Sequence, residues 1–315
     1  MTTPQVSVII PTCNRPGLLP TAIQSVLRQS FSDFELVVVD DASEDSIDSV
    51  VMAVQDNRVR VIRHDRRRGA AAARNTGIRN TNGEFVAFLD DDDEWHPDKL
   101  TRQVSVLRNS DASVVAAYTG YDVVDRNTNK ILSQMLPEHR GNLSSVLLQG
   151  NCVGPTSSIL MKRKCFETVG MFDESLPSFQ EYDLWIRLSR VYRFDYVAEC
   201  LFNYHVHSNR IWTNPEAIRK GLDILLQKYG ASETFRKTCS ARYLSVAVQF
   251  CEVSESGKAR KALRRAISLY PFDARYYLYF FLTLLNPGMY QRVQESKAKI
   301  LGCLAGVSRK GVCRS

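Results

Sequence analysis

Continuous apolar runs alternate with helical patterns over the first ninety residues. Val6-Ser7-Val8-Ile9-Ile10 reads as a buried strand stopped by Pro11. Leu18, Leu19, Ala22, Ile23, Val26 and Leu27 then recur at helical spacing. Leu36 to Val39 is a second strand ending in Asp40-Asp41, with Ser43 placed to cap a following helix. Val59 to Ile62 is a third, shorter strand. Gly69 opens an Ala-rich helix through Arg74 and Ile78, and Phe85 to Leu89 is the fourth strand. The order is βαβαβαβ. Runs that are apolar throughout, without alternation, predict strands covered on both faces, hence an α/β fold with a mostly parallel sheet.

The pattern loosens further on. A helix is predicted from Pro97 to about Asn109 and a strand over Ser113 to Thr119, with residues 120–142 irregular. Ser157 to Met161 is strand-like, and a short helix follows near residues 164–169. Asp183 to Leu188 lies on a helix, and Tyr196 to Tyr204 is extended. From about Pro215 the chain is helical, including amphipathic stretches at 242–252 and 258–270. The second of these, ending in Tyr270-Pro271, resembles one half of a helical-hairpin repeat, a weak sign as a single copy. The predicted organisation is a catalytic-looking domain over 1–212 and a basic helical region over 213–315.

Charge sharpens that division. The net charge of +7 is uneven: residues 258–315 hold 12 Lys and Arg against Asp273 and Glu295, leaving −3 for residues 1–257. The eight cysteines form no C-x-x-C pair, which fits reduced thiols in a cytosolic protein. The N-terminus lacks a leader pattern, and no run reaches the 18 or so apolar residues of a membrane span. The expectation is a cytoplasmic protein, at most peripheral on the inner face of the membrane.

Candidate chemistry centres on Asp90-Asp91-Asp92-Asp93, which directly follows the fourth apolar run. Adjacent carboxylates repel, by roughly 1 kcal/mol at about 4 Å in water and roughly 4 kcal/mol at an effective dielectric of 20. A divalent metal with a phosphate-bearing ligand answers that charge at a strand end; a solvated turn before the Pro97 helix is the simpler alternative. Asp40 and Asp41 can accept from a base N–H or ribose hydroxyls, or can serve a helix start. Arg66-Arg67-Arg68-Gly69 ahead of Arg74 and Asn75 suits a diphosphate at a helix N-terminus, or an exposed basic turn. Neither a G-x-G-x-x-G nor a P-loop is present. Glu181 precedes an apolar helix face where it can project into a cleft as a base, though acids at a helix start also favour the macrodipole. His205 and His207 share one face of an extended segment, as ligands or as structural histidines.

Taken in order, these segments closely resemble a family 2, GT-A-fold inverting glycosyltransferase of the non-processive bacterial type. The matching stretches are Val6 to Arg15, Val37 to Ser43, Gly69 to Ile78, Gly83 to Asp93 and Glu181 to Trp185, within roughly residues 5–210. The resemblance implies a nucleotide-sugar donor, UDP-linked by expectation, at the C-terminal strand ends. Pro11, Thr12, Asn14, Arg15, Asp40, Asp41, Arg68, Gly69, Arg74, Asn75, Asp90 and Asp91 would line that site. Asp90 and Asp92 match the outer positions of the family's D-x-D, with Asp92 a ligand of Mg²⁺ or Mn²⁺ and His207 a looser metal match. The family's usual base falls at Glu181, where Asp is common, with Asp183 as the fallback. The processive synthases' Q-x-x-R-W motif is absent, so one sugar is expected per binding event. The implied acceptor is a glycan or a lipid-linked sugar, in cell-surface polysaccharide or glycolipid synthesis.

A sugar nucleotidyltransferase shares the topology but begins with a Gly-rich loop that Pro11 to Arg15 lacks. A non-catalytic binding protein would explain the tail but leave the aspartates idle. Nucleic acid is not an expected partner. The aromatic run Tyr276 to Leu285, ten residues long, and the +10 segment suit either a core helix or docking on anionic lipid.

Overall fold

The computed structural model describes residues 3–206 and 214–285. The chain divides into two compact units, Met1–Arg210 and Ile211–Ser315.

In the first unit the alternation appears as Val6–Thr12 (β1), Leu19–Leu27 (α1), Phe34–Asp40 (β2), Asp48–Met52 (α2), Val59–Arg63 (β3), Ala70–Arg79 (α3) and Phe85–Phe88 (β4). Glu94–Trp95 (β5), Lys99–Asn109 (α4), Val114–Asp125 (β6), Ile131–Met135 (β7) and Ser144–Leu147 (α5) follow. After a 3-10 turn at 156–158 come Ile159–Lys162 (β8), Cys165–Val169 (α6), Gln180–Ser189 (α7) and Arg193–Val206 (β9). Among the described residues these strands form one nine-stranded sheet in the order β3-β2-β1-β4-β8-β6-β9-β5, with β7 hung on β6. β1 to β4 run parallel, and β6 pairs parallel with β9. The pairings of β8 with β4 and β6, of β7 with β6 and of β5 with β9 are antiparallel. The GT-A-like α/β architecture read from the sequence is the one observed. Past β4 the pairing is mixed, and among the described residues β6 and β7 are the one pair of consecutive strands joined as a hairpin.

Register explains why chemistry gathers at one edge. Val6 pairs with Phe34 and Thr12 with Asp40, while Ile9 pairs with Phe88. The C-terminal ends of three buried strands therefore finish side by side. β1 also runs through Pro11, where the sequence predicts a stop. Ile9 accepts from Leu89 on the β4 side and Thr12 from Asp41 on the β2 side. Pro11 thus faces the β4 side beyond the end of that strand, where its missing N–H breaks no ladder bond.

Residues 120–135 are not irregular, whereas 136–140 carry no regular element. β6 continues to Asp125 and turns back as β7. Register shifts around Gly120 and an exposed β7 remove the alternation that would have marked the hairpin. Ser43 does not cap the next helix, which starts at Asp48; its hydroxyl donates to Asp40 instead.

The second unit is helical: Pro215–Tyr229 (α8), Glu233–Glu252 (α9), Ser256–Leu269 (α10) and Ala274–Leu285 (α11). Asn214 caps α8 and Ser232 caps α9 through side-chain oxygens. Phe235, Tyr243, Leu263, Ala266 and Tyr276 are buried, so the aromatic stretch contributes one face to this core. No helix among the described residues is long and apolar enough to cross a membrane.

Candidate active site

The four aspartate carboxylates are met by different donors, except that Asp91 and Asp92 share Arg15. Asp90 Oδ1 accepts from Arg74 Nη2 at 2.6 Å and from the Thr156 hydroxyl at 3.2 Å. Asp91 accepts from the Thr12 hydroxyl at 2.7 Å and from Arg15 Nη1 at 3.0 Å. The same Arg15 nitrogen lies 3.1 Å from Asp92 Oδ2. Asp93 turns inward, accepting from the Ser157 hydroxyl at 2.8 Å and from His205 N–H at 3.3 Å. Ser157 Oγ also accepts the Asp90 N–H. The backbone carbonyl of Asp92 accepts from Arg126 and from His205 Nδ1. Donors therefore reach this turn from β1, α3, the 156–158 turn, β9 and the residue following β6.

The site nevertheless keeps surplus negative charge. Burial pushes the Asp91 carboxyl up to about 6, against the pull of Arg15 and Thr12. Asp90 and Asp92 offer hard carboxylate oxygens at this edge. Mg²⁺ and Mn²⁺ sites commonly take one or two carboxylates and complete the shell with water and substrate phosphates. The donor set fits such an ion, although no cluster of three or more His, Cys, Asp and Glu side chains able to hold a metal occurs among the described residues. His207 lies outside the described residues.

Asp40 and Asp41 brace the neighbouring pocket wall. The Asp40 side chain is fully buried, accepting from Ser43 N–H at 3.0 Å and from Arg63 Nη1 at 3.0 Å. Asp41 accepts from Arg68 N–H at 2.8 Å, Gly69 N–H at 2.8 Å and His64 Nδ1 at 2.7 Å. It thereby holds the entry to α3, where Gly69 has φ +90°, a conformation that only glycine adopts without strain. Asn14 sits at φ 54° and is clasped from both sides: its N–H donates to Ser43 Oγ and its side chain accepts from Glu44 N–H. These contacts bring Thr12, Asn14, Arg15, Arg68 and Gly69 to the C-terminal ends of β1 and β2.

Two residues expected at the site are committed elsewhere. Asn75 uses both ends of its amide on the loop after α6, donating to the Phe172 carbonyl and Glu174 and accepting from Phe172 N–H. Asp183, the fallback base, is fully buried and bonded to Arg187 at 2.8 Å. Arg187 reaches on to the carbonyls of Val169 and Met171, so this pair ties α7 to α6. The helical period turns Asp183 away from the cleft by two residues relative to Glu181.

Glu181 has the opposite environment. It is half-buried, and among the described residues its carboxylate is engaged by its own backbone N–H but by no hydrogen bond or ion pair from another residue. Burial pushes its carboxyl upward; its own N–H and Arg74 oppose that, and Asp90 reinforces it. Phe179, two residues earlier, is left-handed at φ 63°, an uncommon conformation for a bulky residue. Arg74 sits between the acids: it donates to Asp90, lies 3.4 Å from the Gln180 side-chain oxygen, and keeps a buried Nε–H without an acceptor. A carboxylate, a guanidinium with a spare donor, and an acid-rich turn thus lie within electrostatic reach of one another.

Sequence reasoning missed His64, Thr156, Ser157 and Arg126. None lies in a periodic or charged motif; each is brought in by the fold.

Comparison with known proteins gives the family and the fold. Residues 7–170, just over half the chain, match the model of Glycosyl transferase family 2. An uncharacterized glycosyltransferase of Rickettsia felis is 33% identical over 213 residues, covering 66% of this chain and 35% of the relative; this chain spans about a third of that protein's length. The Escherichia coli UDP-Glc:alpha-D-GlcNAc-diphosphoundecaprenol beta-1,3-glucosyltransferase WfgD is 30% identical over 183 residues, covering 58% of this chain and 69% of WfgD. S. aureus TarS in complex with UDP shares the fold at a TM-score of 0.62 and 19% identity, over 94% of this chain and 91% of the other. The mannosyltransferase PcManGT from Pyrobaculum calidifontis, in complex with GDP-Man and Mn²⁺, does so at 0.57 and 21% identity, over 100% of this chain and 89% of its own. The chain belongs to glycosyltransferase family 2.

Proposed function

We propose that this protein transfers one sugar from a UDP-sugar to a hydroxyl of a glycan or lipid-linked acceptor, with inversion, using Glu181 as the base. The observation that carries this reading is the contrast between Glu181 and Asp183. Displacement at an anomeric carbon needs a carboxylate opposite the leaving group, free to take the acceptor proton. Glu181 is paired with no other residue among those described and has a raised carboxyl pKa, whereas Asp183 is buried in an ion pair.

Donor binding falls to the strand ends. Asp40 and Asp41 shape the nucleoside wall, and the N–H groups at the start of α3 with Arg68 and Arg15 face the diphosphate. The spare Nε–H of Arg74 is placed to hold the donor sugar beside Glu181. Asp92, with Asp90 beside it, would hold Mg²⁺ or Mn²⁺. Such an ion neutralises diphosphate charge as the nucleotide leaves. The UDP complex of a fold relative and the acceptor in the name of WfgD support a UDP-sugar and a diphospho-lipid-linked acceptor. That acceptor class is consistent with a cytoplasmic place at the membrane face.

The test is calorimetric titration of UDP with Mn²⁺ and then with EDTA, on wild type and Asp92→Asn. Metal-dependent binding in the wild type, lost in the variant, supports the reading. Equal binding in all four conditions removes the metal assignment, and no UDP binding removes the donor assignment.

A further inference from the structure

Beyond Arg275 in its first turn, the outward arc of α11 carries no charged side chain. Tyr276, Tyr279 and Leu282 point into the helical core, as does Thr283. On the opposite arc Tyr277, Leu278, Phe281 and Leu284 are exposed at 48%, 54%, 57% and 58%. A surface helix ordinarily turns charged or polar residues to water. This one turns two aromatic rings and two leucines outward, and Phe272 ahead of it is 82% exposed.

Basic side chains border this arc directly. Arg260 donates to the Thr283 carbonyl at 3.0 Å, and the Arg264 guanidinium lies 5.6 Å from the Phe280 ring centre. Lys261 and Arg264 are exposed on α10. From Ser256 to Leu285 the only acid is Asp273, already paired with Arg275 at 2.6 Å. An apolar strip rimmed by unopposed cations matches a lipid surface with anionic headgroups: the strip enters the acyl boundary and the cations meet phosphate. A second copy of the chain would bring the same cations against themselves. At 12 residues α11 is about 18 Å long, too short to span a hydrocarbon core of about 30 Å, so the helix lies in the interface.

We infer that the α10–α11 hairpin is a docking surface for anionic membrane, with Tyr277, Leu278, Phe281 and Leu284 inserted and Lys261 and Arg264 on the headgroups. This goes beyond the transfer chemistry and does not depend on it.

Full-length protein would be co-sedimented with phosphatidylcholine vesicles with and without about a third phosphatidylglycerol. Two variants accompany it, Tyr277→Ser/Phe281→Ser and Lys261→Glu/Arg264→Glu, with circular dichroism to confirm folding; all four positions are exposed, so the core is untouched. The expected result is binding to anionic vesicles alone, weakened by salt and reduced about tenfold or more in each variant. Absence of wild-type binding overturns the inference. So does binding that both folded variants retain, which would place the contact elsewhere. A concentration-dependent dimer that dissociates in Tyr277→Ser/Phe281→Ser, with no vesicle binding, also overturns it and assigns the arc to a second copy.

Discussion

The imidazole of His64 bridges Asp41 and α3: its Nδ1 lies 2.7 Å from Asp41 Oδ1 and its Nε2 lies 2.9 Å from Thr76 Oγ1. Asp41 holds the N–H groups of Arg68 and Gly69, and Thr76 belongs to α3. His64 therefore fixes both the carboxylate that holds the entry to α3 and the helix itself. His64→Ala should cost about 1–3 kcal/mol of stability by leaving buried partners unsatisfied, and should weaken UDP binding about tenfold. Urea denaturation and calorimetry check the two effects separately. Unchanged affinity in a destabilised but folded variant would restrict His64 to stability.

Glu181→Gln keeps the size of the side chain and removes the base. Turnover should fall by about two to four orders of magnitude, with UDP affinity within about twofold of wild type. The raised carboxyl pKa has a sign. The base works ionised, so kcat should fall as pH drops through a value above the ordinary 4.5 of glutamate. A pH–rate profile with its acid limb at or below that value would argue against Glu181.

Asp183→Asn should behave as a folding variant. Breaking the buried pair leaves Arg187 without its carboxylate, a loss of about 3–5 kcal/mol. The fraction that remains folded should retain kcat within a few-fold. A large fall in kcat with an unchanged melting temperature would return Asp183 to the chemistry.

Asp91 links stability to pH. Its carboxyl in the folded state titrates at about 6, above the ordinary 3.8, so between those values the folded protein binds the extra proton. Its contribution to stability is thus most favourable in acid and is lost as pH rises through about 6. Asp91→Asn should stabilise the donor-free protein by about 1–3 kcal/mol at pH 7.5 and by much less near pH 4. Chemical denaturation at both pH values measures it, and a destabilised variant at pH 7.5 would contradict the assignment.

Much of this architecture is local information. The unbroken apolar runs ending at Asp40 and Asp90 require strands buried on both faces, and their acids could only lie at the strand ends. Gly69 before an Ala-rich run marks a helix entry because few other residues tolerate its φ of +90°. Roles that depend on distant partners were not legible. Glu181 and Asp183 are two residues apart and chemically alike; only the packing of α7 on α6 buries one against Arg187 and leaves the other paired with no other residue among those described. The β6–β7 hairpin escaped because its exposed strand has no hydrophobic face to betray it. His64 and Ser157 carry no motif at all. Their functions arise where β3 meets α3 and where the 156–158 turn meets the aspartates, contacts between segments far apart in the chain that periodicity, a short-range property, does not encode.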